Sequence, residues 1–278
     1  MTLTNKEVKV FQRKIYSQKY RPMAWRETDD PYLILVSEFM LQQTQVQRVK
    51  KYFPVFVQSF PTIFALAQSS LQQVLNVWSG LGYNNRALRL KKTAEKVCES
   101  YDGFVPSSLY ELVKLPGIGP ATAGAIISFA FNLPSVFIET NIRRVYIDHF
   151  FQNKIGVSDA DLFPLIEKTL DKNNPRKWYY ALMDTGSAIK NNKSPNPNRR
   201  SAQYTNQSPF QGSMRQLRGQ IIKILIDKGP IEKSVLQSSI STMSDKSIKK
   251  DKFDNAISLL IAEGFLTQKK FLISFKDC

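Results

Sequence analysis

Apolar positions along this chain recur mostly at helical spacing. Pro31 directly follows Asp30, which suits an N-cap with proline at the first helical position. The apolar run behind it predicts a helix from Pro31 to about Val49. Two more helices are predicted to start near Thr62 and near Ser70. Ser108-Leu-Tyr-Glu111 has the spacing of a capping box and predicts a short helix to about Lys114. Leu115-Pro-Gly-Ile-Gly-Pro120 reads as a tight turn, and the Ala-, Gly- and Ile-rich stretch from Ala121 to Phe131 reads as a buried helix. Further helices are expected over 140–151, 159–171 and 175–189.

The periodicity stops over 190–213, a polar stretch with three prolines that predicts a loop or linker. Beyond it, Leu217, Ile221, Ile224 and Leu225 mark an amphipathic helix from Arg215 to Lys228. Two more helices are predicted from Ile231 to Ile240 and from Lys252 to Glu263, and FLTQKKFLISF reads as strand–turn–strand. Three helices and a hairpin in this span predict a winged-helix-like domain over 207–278, following a helical domain over 1–206. The fold class is therefore mainly α.

Composition narrows the chemistry. The 278 residues are 42% hydrophobic and 12% aromatic, enough for a large core. No run of 18 apolar residues occurs and the N-terminus lacks an apolar signal core, so neither membrane insertion nor secretion is expected. Cys98 and Cys278 are the only cysteines and His149 the only histidine. That excludes a disulfide framework, a Cys- or His-based metal cluster, an iron–sulfur cluster and a Ser-His-Asp triad. The formal charge of +16 points to a polyanion such as nucleic acid. The excess is spread along the chain, with +5 in residues 207–278 and +11 before them.

Three segments carry candidate chemistry. Gly117 and Gly119 bracket one residue ahead of a helix start, so backbone N–H groups there can take a phosphate; the alternative is a plain corner between two helices. Glu38 lies in a helix that is apolar almost all round, where desolvation raises a carboxyl pKa and makes a usable general acid. It could instead pair with a structural arginine. Gln42, Gln43 and Thr44 follow, poor core material that suits base edges or an exposed helix end. Glu139 ends an apolar run at the start of a helix bearing Asn141, Arg143 and Arg144. One buried acid and one acid at a helix start match the acid-plus-stabiliser logic of glycosidic cleavage.

SEFMLQQTQV around Glu38, Trp78-Ser-Gly-Leu-Gly-Tyr83, LPGIGPATAGA and the Glu139-Thr-Asn-Ile-Arg-Arg segment resemble adenine DNA glycosylases of the MutY type, within the helix–hairpin–helix DNA glycosylase superfamily. The likeness runs from about Arg21 to Asn206. It implies a two-lobed helical fold that flips an adenine out of the duplex and excises it opposite 8-oxoguanine or guanine. By that resemblance Glu38 protonates the base, Glu139 stabilises the sugar cation and Asn141 helps hold water and sugar. Trp25, Arg26 and Asp184 form the base pocket. Gln42, Gln43, Thr44 and Tyr83 probe the stack. Gly117, Gly119, Ala121, Thr122, Arg143, Lys190, Arg199 and Arg200 hold DNA, with a monovalent cation at the hairpin and Lys193 adding charge.

Three departures from the family pattern bear on this. The family has Asp where this chain has Glu139. Its four cluster cysteines fall on Lys190, Pro197, Arg200 and Asn206, so no iron–sulfur cluster is expected. A short winged-helix-like segment replaces the family's 8-oxoguanine-reading domain. Ala121 stands where strand-cutting relatives carry a lysine, so a monofunctional glycosylase without lyase activity is expected. The expected partner is double-stranded DNA with a mismatch or 8-oxoguanine, bound by a monomer, cytoplasmic and nucleoid-associated if bacterial. Two other readings stay open: a thymine or uracil mismatch glycosylase, and a lesion-binding protein impaired in catalysis.

Overall fold

The computed structural model describes residues 3–192, 194–206, 209–244 and 249–276, so Lys193 and Cys278 lie outside the described residues. The chain forms two compact units, one from Met1–Glu38 and Val105–Asn206, the other from Phe39–Phe104 and Gln207–Cys278.

The first unit is helical. It holds α1 (Asn5–Tyr16) and a 3-10 turn (Ala24–Arg26), then α2 (Pro31–Leu41), in which the division between units falls after Glu38. It continues with α7 (Leu109–Leu112), α8 (Pro120–Ala130), α9 (Thr140–Phe150), α10 (Asp159–Thr169) and α11 (Pro175–Asn192). Helix α1, unanticipated from the sequence, starts at a capping box: Thr4 N–H donates to Glu7 at 2.7 Å and Glu7 N–H returns a bond to Thr4 Oγ1 at 3.3 Å. It buries Phe11 and Ile15, with Phe11 edge-on to Tyr146 of α9 and Trp178 of α11. Helices α9 and α11 pack closely because position 186 is glycine. A Cβ there would lie 2.5 Å from the backbone oxygen of Asn141.

The second unit contains α3 (Val46–Ser59), α4 (Ile63–Gln68), α5 (Leu71–Trp78) and α6 (Asn85–Tyr101). Its core is built on Phe56, Trp78, Leu90 and Val97. The C-terminal part adds α12 (Met214–Lys228), β1 (Ile231–Glu232), α13 (Lys233–Ser244), α14 (Lys250–Ala262), β2 (Leu266–Lys269) and β3 (Leu272–Phe275). The antiparallel sheet has order β1-β3-β2, with Ile231 opposite Ile273 and Leu266 opposite Phe275. This helix–strand–helix–helix–strand–strand order is that of a winged helix. Glu263 anchors it to α6, accepting from Asn85 Nδ2 at 3.1 Å and pairing with Arg218.

The structure corrects three sequence expectations. The helix from Pro31 does not reach Val49. It ends at Leu41, and Gln43 takes a left-handed backbone with φ 53° before α3 begins. Ser108 does precede a helix, but its side chain makes no capping bond and α7 stops at Leu112. Ile231 and Glu232 are strand rather than helix, because β3 supplies the pairing that a two-residue strand cannot show in its own periodicity.

Candidate active site

Helix α2 carries Glu38 among the buried side chains Ile34, Leu35, Val36 and Phe39. Glu38 itself is half-buried, keeping a small exposed fraction while its carboxyl is largely stripped of water. Burial first, and the charge of Glu139 second, push its pKa up to about 8; the Arg26 cation opposes them. The two acids therefore lie within electrostatic reach of one another, although a hundred positions separate them in the sequence.

Glu139 is the N-cap of α9. One carboxylate oxygen accepts from the backbone N–H of Asn141 at 2.8 Å and of Ile142 at 3.0 Å, and the other accepts from Asn141 Nδ2 at 3.3 Å. Burial raises the Glu139 pKa, against the pull of these donors and of the Arg144 cation. The donors at a helix N-terminus favour the ionised form. They oppose the rise that burial imposes on Glu139, and they fix where its carboxylate lies. Arg144 in turn donates to Asn141 Oδ1 at 2.7 Å and to the Gly186 carbonyl at 2.8 Å, so Asn141 is fixed from both sides.

Trp25 and Arg26 are both buried in the 3-10 turn. Arg26 donates to both oxygens of Asp184 at 2.9 and 3.0 Å, and its guanidinium lies 4.5 Å from the centroid of Tyr180, which stacks on Phe129. Arg21 takes Asp184 as well, at 2.6 Å. Asp184 thus has both oxygens committed, and the Arg26–Asp184 pair rather than a lone carboxylate is what this end of the unit presents. The pair lines a cavity of about 420 Å³ together with Tyr16, Tyr20 and Tyr180. Neither Glu38 nor Glu139 lines that cavity, but Arg26 and Tyr180 are both within electrostatic reach of Glu38.

The phosphate-binding expectation falls on the turn between α7 and α8. Gly117 has φ 83°, a conformation that needs glycine. Gly119 does not: it is an extended N-cap, and a Cβ there would meet nothing within 4 Å. Ala121 and Thr122 occupy the first turn of α8, directly after Pro120 at its start. Arg143 is held by Asp159 through bonds of 2.8 to 3.0 Å. Lys190 and Arg199 are exposed, whereas Arg200 turns inward, donating to the carbonyls of Ile147 and Gln152.

Loop 194–206 is fastened by polar contacts. Asn196 accepts from Arg144 at 3.1 Å, Asn198 donates to the Thr140 carbonyl at 2.9 Å, and Ser201 bridges Val157. Lys190, Pro197, Arg200 and Asn206 supply no thiolate, so this donor set does not fit an iron–sulfur cluster. Among the described residues no three His, Cys, Asp or Glu side chains converge to hold a metal ion. No helix among them is long and apolar enough to cross a membrane.

In the second unit one residue missed by the sequence reading organises two segments. Buried Arg86 donates to the carbonyls of Phe39, Met40 and Gln42 at 2.5 to 2.9 Å and to that of Gly82 at 2.9 Å. It closes the end of α2 and ties it to the turn carrying Tyr83, 5.5 Å from that ring. Exposed Gln43 and half-buried Tyr83 both have left-handed backbones, with φ 53° and 50°. An arginine in an otherwise helical pattern gives no sequence signal for this role.

Residues 36–162 match the HhH-GPD superfamily of base excision DNA repair proteins. The adenine DNA glycosylase of Mycolicibacterium smegmatis is 30% identical over 277 residues, covering 91% of this chain and 90% of that protein. That of Buchnera aphidicola subsp. Baizongia pistaciae is 41% identical over 173 residues, 61% of this chain and 48% of that protein; the match spans about half of that relative's length. A solved thermostable thymine-DNA glycosylase superimposes with a TM-score of 0.60 at 26% identity, over 69% of this chain and 91% of that one. The chain belongs to the adenine DNA glycosylase family of the HhH-GPD base excision repair superfamily.

Proposed function

We propose that this protein is a monofunctional DNA glycosylase that removes adenine mispaired with 8-oxoguanine or guanine. The observation that carries the reading is the Glu38–Glu139 pair, one acid pushed up to about 8 and the other held by helix N–H groups. Glu38 donates its proton to the extruded base. The bond from the sugar C1′ to the base breaks with its electron pair leaving on the base, and the Glu139 carboxylate stabilises the resulting oxocarbenium ion. Water adds at C1′, its proton passing to the carboxylate that Glu38 has become, and yields an abasic site. Asn141, fixed by Arg144 and Glu139, orients the sugar side, and Trp25 with the Arg26–Asp184 pair frames the base.

The remaining residues bind duplex DNA, by this reading as a monomer. Gln42, Gln43, Thr44 and Tyr83 enter the stack. Open space before Gly119 and the first turn of α8 at Ala121 and Thr122 receives a backbone phosphate. Lys190 and Arg199 face solvent and add sequence-independent affinity. Arg143 and Arg200 support the site from within. Ala121 offers no amine for a Schiff base, so the strand stays intact. Loop 194–206 keeps its shape through Asn196, Asn198 and Arg200 in place of a cluster, and no step is routed through a bound cation.

The test is incubation with duplexes holding adenine opposite 8-oxoguanine or guanine, followed by hot alkali. Adenine release and cleavage only after alkali support the reading. Equal, background release by wild type and Glu38→Gln refutes it. Release of thymine or uracil from mismatches, with adenine untouched, would assign a different base to the same fold.

A further inference from the structure

The C-terminal segment places a cation on the ring that the proposed function puts against DNA. Arg215 lies in the first turn of α12, where the helix dipole disfavours positive charge. Its Nη1 donates to the Tyr83 hydroxyl at 3.0 Å, and its guanidinium carbon lies 5.8 Å from the centroid of that ring. Tyr83 is itself held in a left-handed conformation at φ 50°. Such strain persists where the surroundings over-determine it and gathers at working sites. One helical turn later Arg218 pairs with Glu263, which also takes Asn85, so α12 is fastened to α6 without help from Arg215.

We infer that Arg215 determines specificity for the base opposite the extruded nucleotide. It fixes the Tyr83 hydroxyl and holds a guanidinium cation beside the ring. At C8, guanine offers a C–H while 8-oxoguanine offers a carbonyl oxygen, and only the second accepts a charged hydrogen bond. This rests on the proposed function, since it supposes that Tyr83 meets the opposing base.

The experiment compares single-turnover adenine release opposite 8-oxoguanine and opposite guanine for wild type, Arg215→Ala, Arg215→Lys and Tyr83→Phe. Wild type is expected to prefer 8-oxoguanine, and Arg215→Ala to cut that preference by about tenfold. Arg215→Lys restores part of it, and Tyr83→Phe loses part of it without adding to the effect of Arg215→Ala. A wild type without preference, an unchanged ratio in Arg215→Ala, or equal losses on both substrates overturns the inference. In parallel, dissociation constants are measured for duplexes carrying uncleavable 2′-fluoro-2′-deoxyadenosine opposite each base. If wild type releases no adenine, the proposed function fails by itself. The binding ratio then decides: a fall in Arg215→Ala supports the inference and an unchanged ratio overturns it.

Discussion

Glu139 accepts the backbone N–H of Asn141 at 2.8 Å, so the acid proposed to face the sugar cation also caps the helix that carries its neighbour. The longer side chain of Glu, relative to the Asp of the family pattern, is thereby folded back onto its own helix start rather than left to swing. The carboxylate position is set by α9.

Glu139→Gln separates these roles. Its amide oxygen still accepts the two N–H groups, so the cap is largely kept and stability falls by about 1 kcal/mol or less. The charge is lost, and the adenine release rate is expected to fall by about 10²-fold or more. The same change removes a cause that raises Glu38, so the alkaline limb of the remaining activity moves to lower pH. Single-turnover rates and thermal unfolding of this variant check both halves. An unchanged rate would place Glu139 in capping alone.

Gly186→Ala probes how tightly α11 holds the start of α9. The new Cβ would lie 2.5 Å from Asn141 O and 2.6 Å from Asn141 Cβ, and backbone there cannot yield cheaply. Overpacking of this kind costs about 1–3 kcal/mol, and a shift of about 1 Å at a site can cost on the order of a hundredfold in rate. Gly219→Ala in α12, where a Cβ meets nothing within 4 Å, is the control and is expected to be neutral or stabilising by up to about 1 kcal/mol. Differential scanning calorimetry of the pair decides it.

Much of this was legible beforehand for a physical reason. Glu38 stands out because its helix leaves it no polar face. The Gly117 turn stands out because its φ of 83° demands glycine. What stayed hidden depends on long-range contact. The break after Leu41 is made by Arg86, more than forty residues on, which takes carbonyls that a continuing helix would have used. Arg143 and Arg200 look alike in sequence to exposed Arg199. Only the fold shows the first held by Asp159 and the second bound to the end of α9.

Arg86→Lys is accordingly not a mild change. A single ammonium cannot span the carbonyls of Met40, Gln42 and Gly82, and each buried carbonyl left unpaired costs about 1–3 kcal/mol. Both Arg86→Lys and Arg86→Ala are expected to lower stability by about 3 kcal/mol or more and to weaken duplex binding, as followed by urea unfolding and fluorescence anisotropy. Wild-type stability in Arg86→Lys would contradict the bridging role.

The Glu38 carboxyl also links stability to pH. Its folded pKa lies above its unfolded value, so the folded state retains a proton that the unfolded chain has released. Wild-type stability is therefore expected to fall as pH rises from the ordinary carboxylate range to about 8. Glu38→Gln lacks that dependence, so its Tm should gain on wild type across the same window. Parallel thermal melts show whether the gap widens with pH.

The most direct measurement is the single-turnover rate of adenine release by wild type and Glu38→Gln between about pH 5 and about pH 10. If Glu38 is the proton donor, the wild-type rate falls above about pH 8. Glu38→Gln is then slower by about 10²- to 10⁴-fold and shows no such limb. A wild-type rate that stays level through pH 8, or a Glu38→Gln variant that keeps both the rate and the limb, contradicts the account.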